Sequence, residues 1–400
     1  MSPTSDRLKT ICESIELVVR GFAEAGYELF LVGGVVRDAL LANGGEYDID
    51  LTTNARPDQI REVIEPIAQS IWDQGERFGT LGARVAGKDL EITTYRAEAY
   101  SPDSRKPEVS FGDTIQDDLE RRDFTINAIA FNCIEDELLD PFGGQQDLTN
   151  KTLRTPADPI QSFSDDPLRV LRAGRFAARL DLKFDQDLVA AARGQSDRMS
   201  VVSAERINVE IDKLLAADHL EVGFEFLAEA NFFERYLAWL RDKELRDTFV
   251  IQASQTSDVS IRRVILFSSA PDAATSMQEL KYSKTDTNFV ISTLSAIAEL
   301  ESSSDSRATL RKLIHRKPEV VAAGVECVSI AGNHEVVATY KELIELEGER
   351  LFLPITGDEV MARLGIASGP AVGEALDKVS NAMYERGPIT ADEAWELLAD

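Results

Sequence analysis

The 400-residue sequence has few cysteines and few histidines, which limits the metal and redox chemistry that it can carry. It contains three of each, and none of the cysteines shows the paired spacing of a zinc site or a redox motif. We therefore predict that Cys12, Cys133 and Cys327 are reduced and structural. No histidine is followed by aspartate, so a His–Asp phosphohydrolase centre is not expected.

Long apolar runs are also missing. None approaches the roughly 18 residues that a membrane span requires. Residues 1–19 mix acidic, basic and apolar side chains, so they have neither the basic region nor the apolar core of a secretory signal peptide. These absences predict a cytoplasmic protein that binds no membrane, and nothing in the sequence indicates an obligate protein partner.

Basic residues are outnumbered, with 43 Lys and Arg against 70 Asp and Glu and a formal net charge of −27. Because Lys and Arg contacts to phosphates supply most of the sequence-independent affinity for nucleic acid, this total argues against such a partner. The acidity is uneven, however. Residues 151–210 carry ten basic against nine acidic residues, whereas residues 301–400 carry ten against eighteen. The total charge therefore leaves room for a locally basic face.

Strand-like apolar runs alternate with helical patterns over the first 150 residues, and helical patterns dominate from Asp166 onward. Pro156 and Pro159 interrupt any regular element between these parts and place a boundary near residues 154–164. The sequence predicts an α/β head followed by a longer all-α body.

A glycine pair and two alternate aspartates form the first candidate site. Gly33 and Gly34 follow an apolar strand, where the backbone can approach a phosphate closely, and Arg37 lies one turn further on. Strand alternation puts Asp48 and Asp50 on one face, which suits Mg²⁺ and the needs of two-metal phosphoryl transfer. The alternative is a plain turn beside a solvated strand face, and the joint spacing favours the metal site.

Two charged segments make further candidates. Arg121 and Arg122 could hold the β- and γ-phosphates of a nucleotide beside the metal site. The alternative is a salt-bridged start of the apolar helix that we predict after them, with Asp123 at its N-cap.

Asp166 and Arg169 are three residues apart on the next predicted helix, hence side by side, and offer an acceptor and a forked donor. This pair matches the Watson–Crick edges of cytosine and adenine and would reject guanine and uracil. Arg172 reaches the same side, whereas Arg175 lies half a circumference from Asp166 and is less expected to take part. A helix-capping role alone would also explain Asp166.

In this order, these segments resemble the class II tRNA nucleotidyltransferase and bacterial poly(A) polymerase family, within the DNA polymerase β-like nucleotidyltransferases. The resemblance covers about residues 29–215 and rests on six motifs: residues 33–38, Asp48-x-Asp50, residues 121–128, residues 140–148, Asp165-Asp-x-x-Arg169 and residues 204–210. It implies an α/β nucleotidyltransferase head at residues 1–153, a nucleotide-selecting helical neck at 154–216, and a tRNA-binding helical body and tail at 217–400.

The resemblance implies template-independent addition of CCA to the 3′ end of tRNA from CTP and ATP, with Mg²⁺ held by Asp48 and Asp50. The nucleotide contacts that it implies are Gly34, Arg37, one or both of Arg121 and Arg122, and the helix residues Asp166, Arg169, Arg172 and Arg175.

Several points remain open at this level. Residues 100–109 resemble the family's flexible loop, which favours full CCA addition over CC addition. Glu91 is a candidate third carboxylate, although a solvated strand glutamate explains it equally well. The His–Asp phosphohydrolase domain of many relatives is not expected here. The alternatives are a poly(A) polymerase, an A-adding or CC-adding enzyme, and, in another class, a tRNA-binding protein without catalysis.

Overall fold

The computed structural model of the protein describes residues 3–42, 48–75, 79–99, 108–302, 306–349 and 351–399. The chain divides into two compact units, Met1–Tyr236 and Leu237–Asp400. The α/β head and the helical remainder are both confirmed. The boundaries between the head, the neck and the body, which the sequence places after residues 153 and 216, stay a prediction. Within the described ranges, no helix is long and apolar enough to cross a membrane.

Helices of the first unit surround a sheet and continue beyond it. They are α1 (Pro3–Glu13), α2 (Glu16–Glu24), α3 (Gly34–Leu40), α4 (Pro57–Ile64), α5 (Ile115–Glu120), α6 (Gly144–Asn150), α7 (Pro159–Asp165), α8 (Leu168–Leu180), α9 (Gln186–Gly194), α10 (Ala204–Leu215) and α11 (Leu220–Glu229). Helix α8 packs against α10 and α11. Gly174 of α8 and Gly223 of α11 permit a close crossing, because a Cβ on Gly223 would lie 2.6 Å from the carbonyl oxygen of Gly174.

One mixed sheet forms the centre of the head. Its strands are β1 (Phe30–Val32), β2 (Ile49–Thr53), β3 (Ser70–Gly75), β4 (Thr80–Val85), β5 (Lys88–Thr94), β8 (Ala130–Asn132) and β9 (Glu137–Leu139), and β6 (Arg96–Ala99) pairs separately with β7 (Glu108–Phe111). The order across the sheet is β3-β4-β5-β2-β1-β8-β9. Strands β2 and β5 run parallel, and the other neighbours are antiparallel.

Helix α4 covers one face of β4 and β5, which explains the alternation of buried and exposed side chains in these strands. Leu81 and Ile92 are buried, whereas Arg84 and Glu91 are exposed. The face that carries Glu91 is therefore open beside β2, where the aspartate pair lies.

Helices are the only regular elements among the described residues of the second unit. Its helices are α12 (Lys243–Ala253), α13 (Val259–Ser268), α14 (Ala273–Glu279), α15 (Lys284–Ser302), α16 (Ser306–Arg316), α17 (Pro318–Ile330), α18 (His334–Glu347), α19 (Gly357–Leu364), α20 (Pro370–Arg386) and α21 (Ala391–Ala399). One apolar core joins α15 to α18, and another joins the last three helices. Arg311 links these regions, because it pairs with Glu347 at 2.7 Å and donates to the carbonyl oxygen of Tyr384.

The apolar helix predicted after Asp123 is wrong. Residues Thr125–Asn127 form a single 3₁₀ turn, and the chain then enters β8. Strand β8 pairs with β1 over its whole length, with Leu31 opposite Phe131. The structure of this segment is set by its pairing with a strand about a hundred residues earlier. A local apolar pattern cannot distinguish a buried strand from a buried helix.

The prediction of three reduced cysteines is wrong for two of them. Cys12 and Cys133 form a disulfide with their Cα atoms 5.5 Å apart, although they are 121 positions apart in the sequence. Helix α1 lies beside the β8–β9 turn, where Lys9 pairs with Asp136, and this packing brings the two cysteines together. Cys327 is free and buried, and burial raises the pKa of its thiol to about 12.

Candidate active site

The turn between β1 and α3 approaches the aspartate pair very closely. Gly33 has a φ of +73°, which side chains of L-residues rarely adopt. A Cβ placed on Gly33 would lie 3.2 Å from Nη1 of Arg122 and 3.7 Å from Oδ2 of Asp50. Glycine is therefore required here both by the backbone conformation and by the space between a cation and a carboxylate.

Arg37 follows one turn later and is 3% exposed. Its Nε donates to Asp38 at 2.9 Å and its Nη1 donates to Asn127 at 2.6 Å. The guanidinium lies 5.3 Å from the ring centroid of Phe176. These contacts hold the charge in a fixed position before any anion is bound.

Asp48 and Asp50 lie where β2 begins. Asp48 is exposed just before the strand, Ile49 is buried, and Asp50 is half-buried, which fits the predicted alternation. Glu91 lies directly opposite Asp50 in the parallel pair of β2 and β5. Burial raises the pKa of Asp50 to about 6. The charges of Glu91 and Asp48 act in the same direction, whereas the charge of Arg122 acts against them.

These carboxylates suit a hard divalent cation. Burial and the neighbouring charges of Glu91 and Asp48 disfavour the ionised form of Asp50, an effect that a bound cation would offset, and oxygen donors are what Mg²⁺ prefers. Within the described ranges, no three acidic, histidine or cysteine side chains form a ready metal cage. One or two carboxylates together with substrate phosphates are a usual ligand set for Mg²⁺, and Asp48 and Asp50 fit it.

Asp118 of α5 organises the arginine pair and was not found from the sequence. Its carboxylate is completely buried and accepts from Nη2 of Arg121 at 3.1 Å and from Nη2 of Arg122 at 3.0 Å. Burial alone would raise the pKa of Asp118, but the charges of Arg122 and Arg121 outweigh this effect and hold the pKa below its usual value. A carboxylate three and four residues before two arginines was the signal that could have shown this arrangement.

Asp123 does not cap a helix of its own. It accepts from Nη2 of Arg172 at 2.5 Å and from Nδ2 of Asn127 at 2.9 Å. Although burial opposes ionisation, the charge of Arg172 and these hydrogen bonds lower the pKa of Asp123 to about 2. The carboxylate stays ionised and ties the head segment to α8.

The predicted pair, Asp166 just before α8 and Arg169 in its first turn, is present, but each member has a protein partner. Asp166 accepts from the backbone N–H of Leu168, as expected for a helix start, and from Arg206 at 2.9 Å. Arg169 is 8% exposed and donates to Oγ of Ser162 at 2.7 Å and to the carbonyl oxygen of Arg121. With five N–H donors, Arg169 retains donors beyond these bonds.

Glu210 of α10, 3% exposed, holds two further arginines of the helix. It lies 2.6 Å from Arg175 and 3.5 Å from Arg172. Arg175 also lies over the ring of Phe176, with 4.1 Å between its Cζ atom and the ring centroid. Arg175 was expected to be less involved, but the structure brings it to the same cavity as Arg169 and Arg172.

Most of the candidate residues line one cavity of about 410 Å³. Its lining is Gly33, Gly34, Arg37, Asp50, Arg121, Arg122, Asp123, Asn127, Asp166, Arg169, Arg172, Arg175, Phe176 and Arg179. Asp48 does not line it, and Asp123, Asn127, Phe176 and Arg179 had not been proposed as site residues. Seven arginines against three aspartates give this lining a formal charge of +4, in a chain whose total is −27. The cavity can therefore hold a polyanion.

A smaller cavity of about 250 Å³ also borders Asp50. It shares Asp50, Arg121 and Arg122 with the first and adds Glu91 and other residues of β1, β2, β4, β5 and β6. Residues 100–107 of the predicted flexible loop lie outside the described residues.

Family models match two parts of the chain. The poly A polymerase head domain matches residues 29–154, and the probable RNA and SrmB-binding site of polymerase A matches residues 181–239. The relatives include the CCA-adding enzyme of Streptococcus thermophilus, 30% identical over 379 residues, covering 92% of this chain and 91% of the relative. The CCA-adding enzyme of a Geobacillus strain is 32% identical over 378 residues, with the same coverage.

Solved structures show the same fold. The Bacillus stearothermophilus CCA-adding enzyme in complex with CTP superposes with a TM-score of 0.77 at 24% identity, over 100% of this chain and 98% of that one. The Thermotoga maritima CCA-adding enzyme complexed with tRNA gives 0.66 at 20% identity, over 100% and 96%. With the identity and coverage of the sequence relatives, these findings show that the chain belongs to the family of the CCA-adding enzymes, the tRNA nucleotidyltransferases that carry a poly A polymerase head domain.

Proposed function

We propose that this protein adds CCA to the 3′ end of tRNA, from CTP and ATP and without a template, and releases pyrophosphate. One observation carries the proposal: half-buried Asp50 shares a single cavity with seven arginines, in a chain of this family. The tRNA substrate also leads us to propose that the protein acts in the cytoplasm, with residues 217–400 binding the RNA.

Asp48 and Asp50 would hold Mg²⁺ with the phosphates of the substrate. Bound there, Mg²⁺ would supply activation of the attacking 3′-hydroxyl and neutralisation of charge on the phosphates in a two-metal displacement. Gly33 and Gly34 let the triphosphate approach the backbone. Arg37, Arg121 and Arg122 pair with the oxygens of the triphosphate. These three arginines line the same cavity as Asp50.

Asp166 and Arg169 would select the base. Asp166 accepts from the exocyclic amine of cytosine or adenine, and Arg169 donates to the adjacent ring nitrogen. Guanine and uracil present the reverse order of donor and acceptor, so their binding would bury unpaired polar groups. Arg172 and Arg175, held by Glu210, keep the helix face charged and in place.

The test is the incorporation of labelled CTP and ATP, separately and together, into tRNA that ends at its discriminator base. We expect two additions of C and then one of A in the presence of Mg²⁺. Asp50→Ala should reduce the rate by at least about 1,000-fold, since the reaction loses a metal ligand. Asp89→Ala is the control, because that aspartate is exposed and pairs with Arg84 at the start of β5.

Other outcomes would identify a different enzyme. Uptake of ATP alone would indicate a poly(A) polymerase or an A-adding enzyme, and uptake of CTP alone a CC-adding enzyme. If the wild-type protein binds tRNA but incorporates neither nucleotide, the catalytic proposal is wrong and a tRNA-binding protein is left.

A further inference from the structure

The open face of the sheet beside Asp50 carries an aromatic side chain that the proposed reaction has not used. Asp50 lies opposite Glu91, Glu91 opposite Gly82, and Gly82 opposite Trp72. These residues therefore form one row across β2, β5, β4 and β3, and residues directly opposite each other in a sheet direct their side chains to the same face. Trp72 lies on the face of the catalytic carboxylate.

Gly82 lets the indole extend along this row. A Cβ on Gly82 would collide with Nε1, Cε2 and Cδ1 of Trp72, so the ring occupies the space above the glycine and points from β3 toward β5. Neighbouring strands are about 4.8 Å apart, which places the strand beneath the ring about 10 Å from the strand of Asp50. Trp72 is half-buried, so part of the ring remains accessible.

The proposed reaction determines the side from which the RNA arrives. The cavity that suits the nucleotide is lined by Gly34 and Arg37 next to β1 and by the arginines of α8. Phosphoryl transfer needs the attacking and leaving oxygens roughly in line, on opposite sides of the phosphorus. Because β1 and β5 flank β2 on opposite sides, the 3′-hydroxyl of the RNA must approach from the side of β5, where Trp72 lies.

We propose that Trp72 stacks on the base of the 3′-terminal nucleotide of the RNA while its hydroxyl is held at Asp50. This inference rests on the proposed function and adds an RNA-positioning residue to it. Stacking accepts any base, since every base has a π-face. That property suits an RNA end whose last base changes after each addition, whereas hydrogen bonds such as those of Asp166 would read only certain bases.

Steady-state kinetics with an acceptor-stem minihelix ending in CC test the proposal. Trp72→Ala should raise the KM for the minihelix about 10- to 100-fold, while Trp72→Phe, which keeps a ring, should raise it less than about fivefold. The KM for ATP and kcat should change less than about twofold in both. A raised KM for ATP with an unchanged KM for RNA would overturn the proposal.

Gly82→Ala provides a control for a merely structural effect. It displaces the indole without removing it, so it should raise the KM for RNA nearly as much as Trp72→Ala. In the Trp72→Ala background the same change should have little further effect, because the colliding ring is gone. Additive effects in the double variant would contradict the inferred role.

Fluorescence separates this inference from the proposed function. In the variant Trp239→Phe, Trp395→Phe, emission comes from Trp72 alone. The CC-ending minihelix should quench it saturably, and a blunt hairpin of the same stem should not. Unchanged emission at saturating RNA, with binding followed by filter retention, would overturn the stacking. Quenching without nucleotide incorporation would instead leave the stacking in place and reject the proposed function.

Discussion

Protein partners, most of them acidic, fix the arginines of the cavity before any substrate is present. Asp118 holds Arg121 and Arg122, while Asp38 and Asn127 hold Arg37. Long side chains fixed in this way lose little conformational entropy when they bind phosphates. The protein therefore places positive charge where the nucleotide needs it, although the chain as a whole is strongly negative.

Asp118→Asn is expected to impair nucleotide binding without touching the nucleotide. The amide would leave Arg121 and Arg122 without their buried counter-charge, which destabilises a protein by about 3–5 kcal/mol when one partner of a buried pair is removed. We expect a rise of about tenfold in the KM for CTP and ATP and a lower unfolding midpoint. Glu120→Gln, exposed at the end of the same helix, should change neither. An unaltered KM in Asp118→Asn would mean that the arginines need no such support.

Asp50 should make the metal-free protein less stable as the pH rises. Its folded-state pKa is about 6, above its ordinary value of 3.8. The folded state therefore binds more protons between these values, and the free energy of unfolding falls as the pH increases through them. Asp50→Asn should raise the unfolding midpoint at pH 7.5 by an amount equivalent to about 1–3 kcal/mol, and by little at pH 4.

Matched measurements test this assignment. Asp89→Asn should not stabilise the protein, because Arg84 holds the pKa of that exposed carboxylate below its ordinary value. Addition of Mg²⁺ at pH 7.5 should stabilise the wild type more than Asp50→Asn. Equal stabilisation of both by Mg²⁺ would argue against a metal ligand at this position.

At the scale of the helix, α8 depends on close packing for the placement of its arginines. A Cβ on Gly174 would lie 2.8 Å from Cγ of Leu227 and 3.1 Å from the carbonyl oxygen of Gly223. Arg169, Arg172 and Arg175 all project from α8 into the cavity. Any outward shift of this helix would therefore move the proposed base-selecting groups.

Gly174→Ala is expected to force α8 and α11 apart and to cost about 1–3 kcal/mol of folding free energy. We also expect an increased incorporation of UTP and GTP relative to CTP, since the selecting side chains would be displaced. Gly194→Ala, at the end of α9, is the matched control, because nothing lies within 4 Å of its added Cβ. A fidelity as high as that of the wild type in Gly174→Ala would show that selection tolerates the shift.

Sequence patterns predicted the elements whose signals are local. The glycine turn before Arg37, the alternation around Ile49 and the helix beginning near Leu168 all depend on neighbouring residues, and all are present. The strand β8 was mistaken for a helix because its partner, β1, lies about a hundred residues earlier. The roles of Asp118 and Glu210 were missed for a related reason. Both roles depend on burial of the carboxylate, which the fold determines and which the spacing of residues along the chain does not show.

At the scale of the whole molecule, the net charge of −27 is a poor guide to the partner. The cavity lining carries a formal charge of +4, so it attracts an anionic substrate although the chain as a whole is negatively charged. Burial within the head also strengthens this attraction, because solvent screening is weaker in a cavity than at an exposed surface. The distribution of charge, which the sequence shows only coarsely, decides what the protein can bind.

The Cys12–Cys133 disulfide closes a long covalent loop in the head, because the two cysteines are 121 positions apart in the sequence. Such a cross-link limits the freedom of the unfolded chain, and typical effects are about 2–5 kcal/mol. Because neither cysteine lines the cavity, we expect reduction to lower the unfolding midpoint of the first unit while nucleotide incorporation at 25 °C stays within about twofold. Unfolding of the wild type and of Cys133→Ser, each with and without dithiothreitol, measures this. Only the wild type should respond to the reductant; equal midpoints in all four samples would show that the head gains no stability from the cross-link.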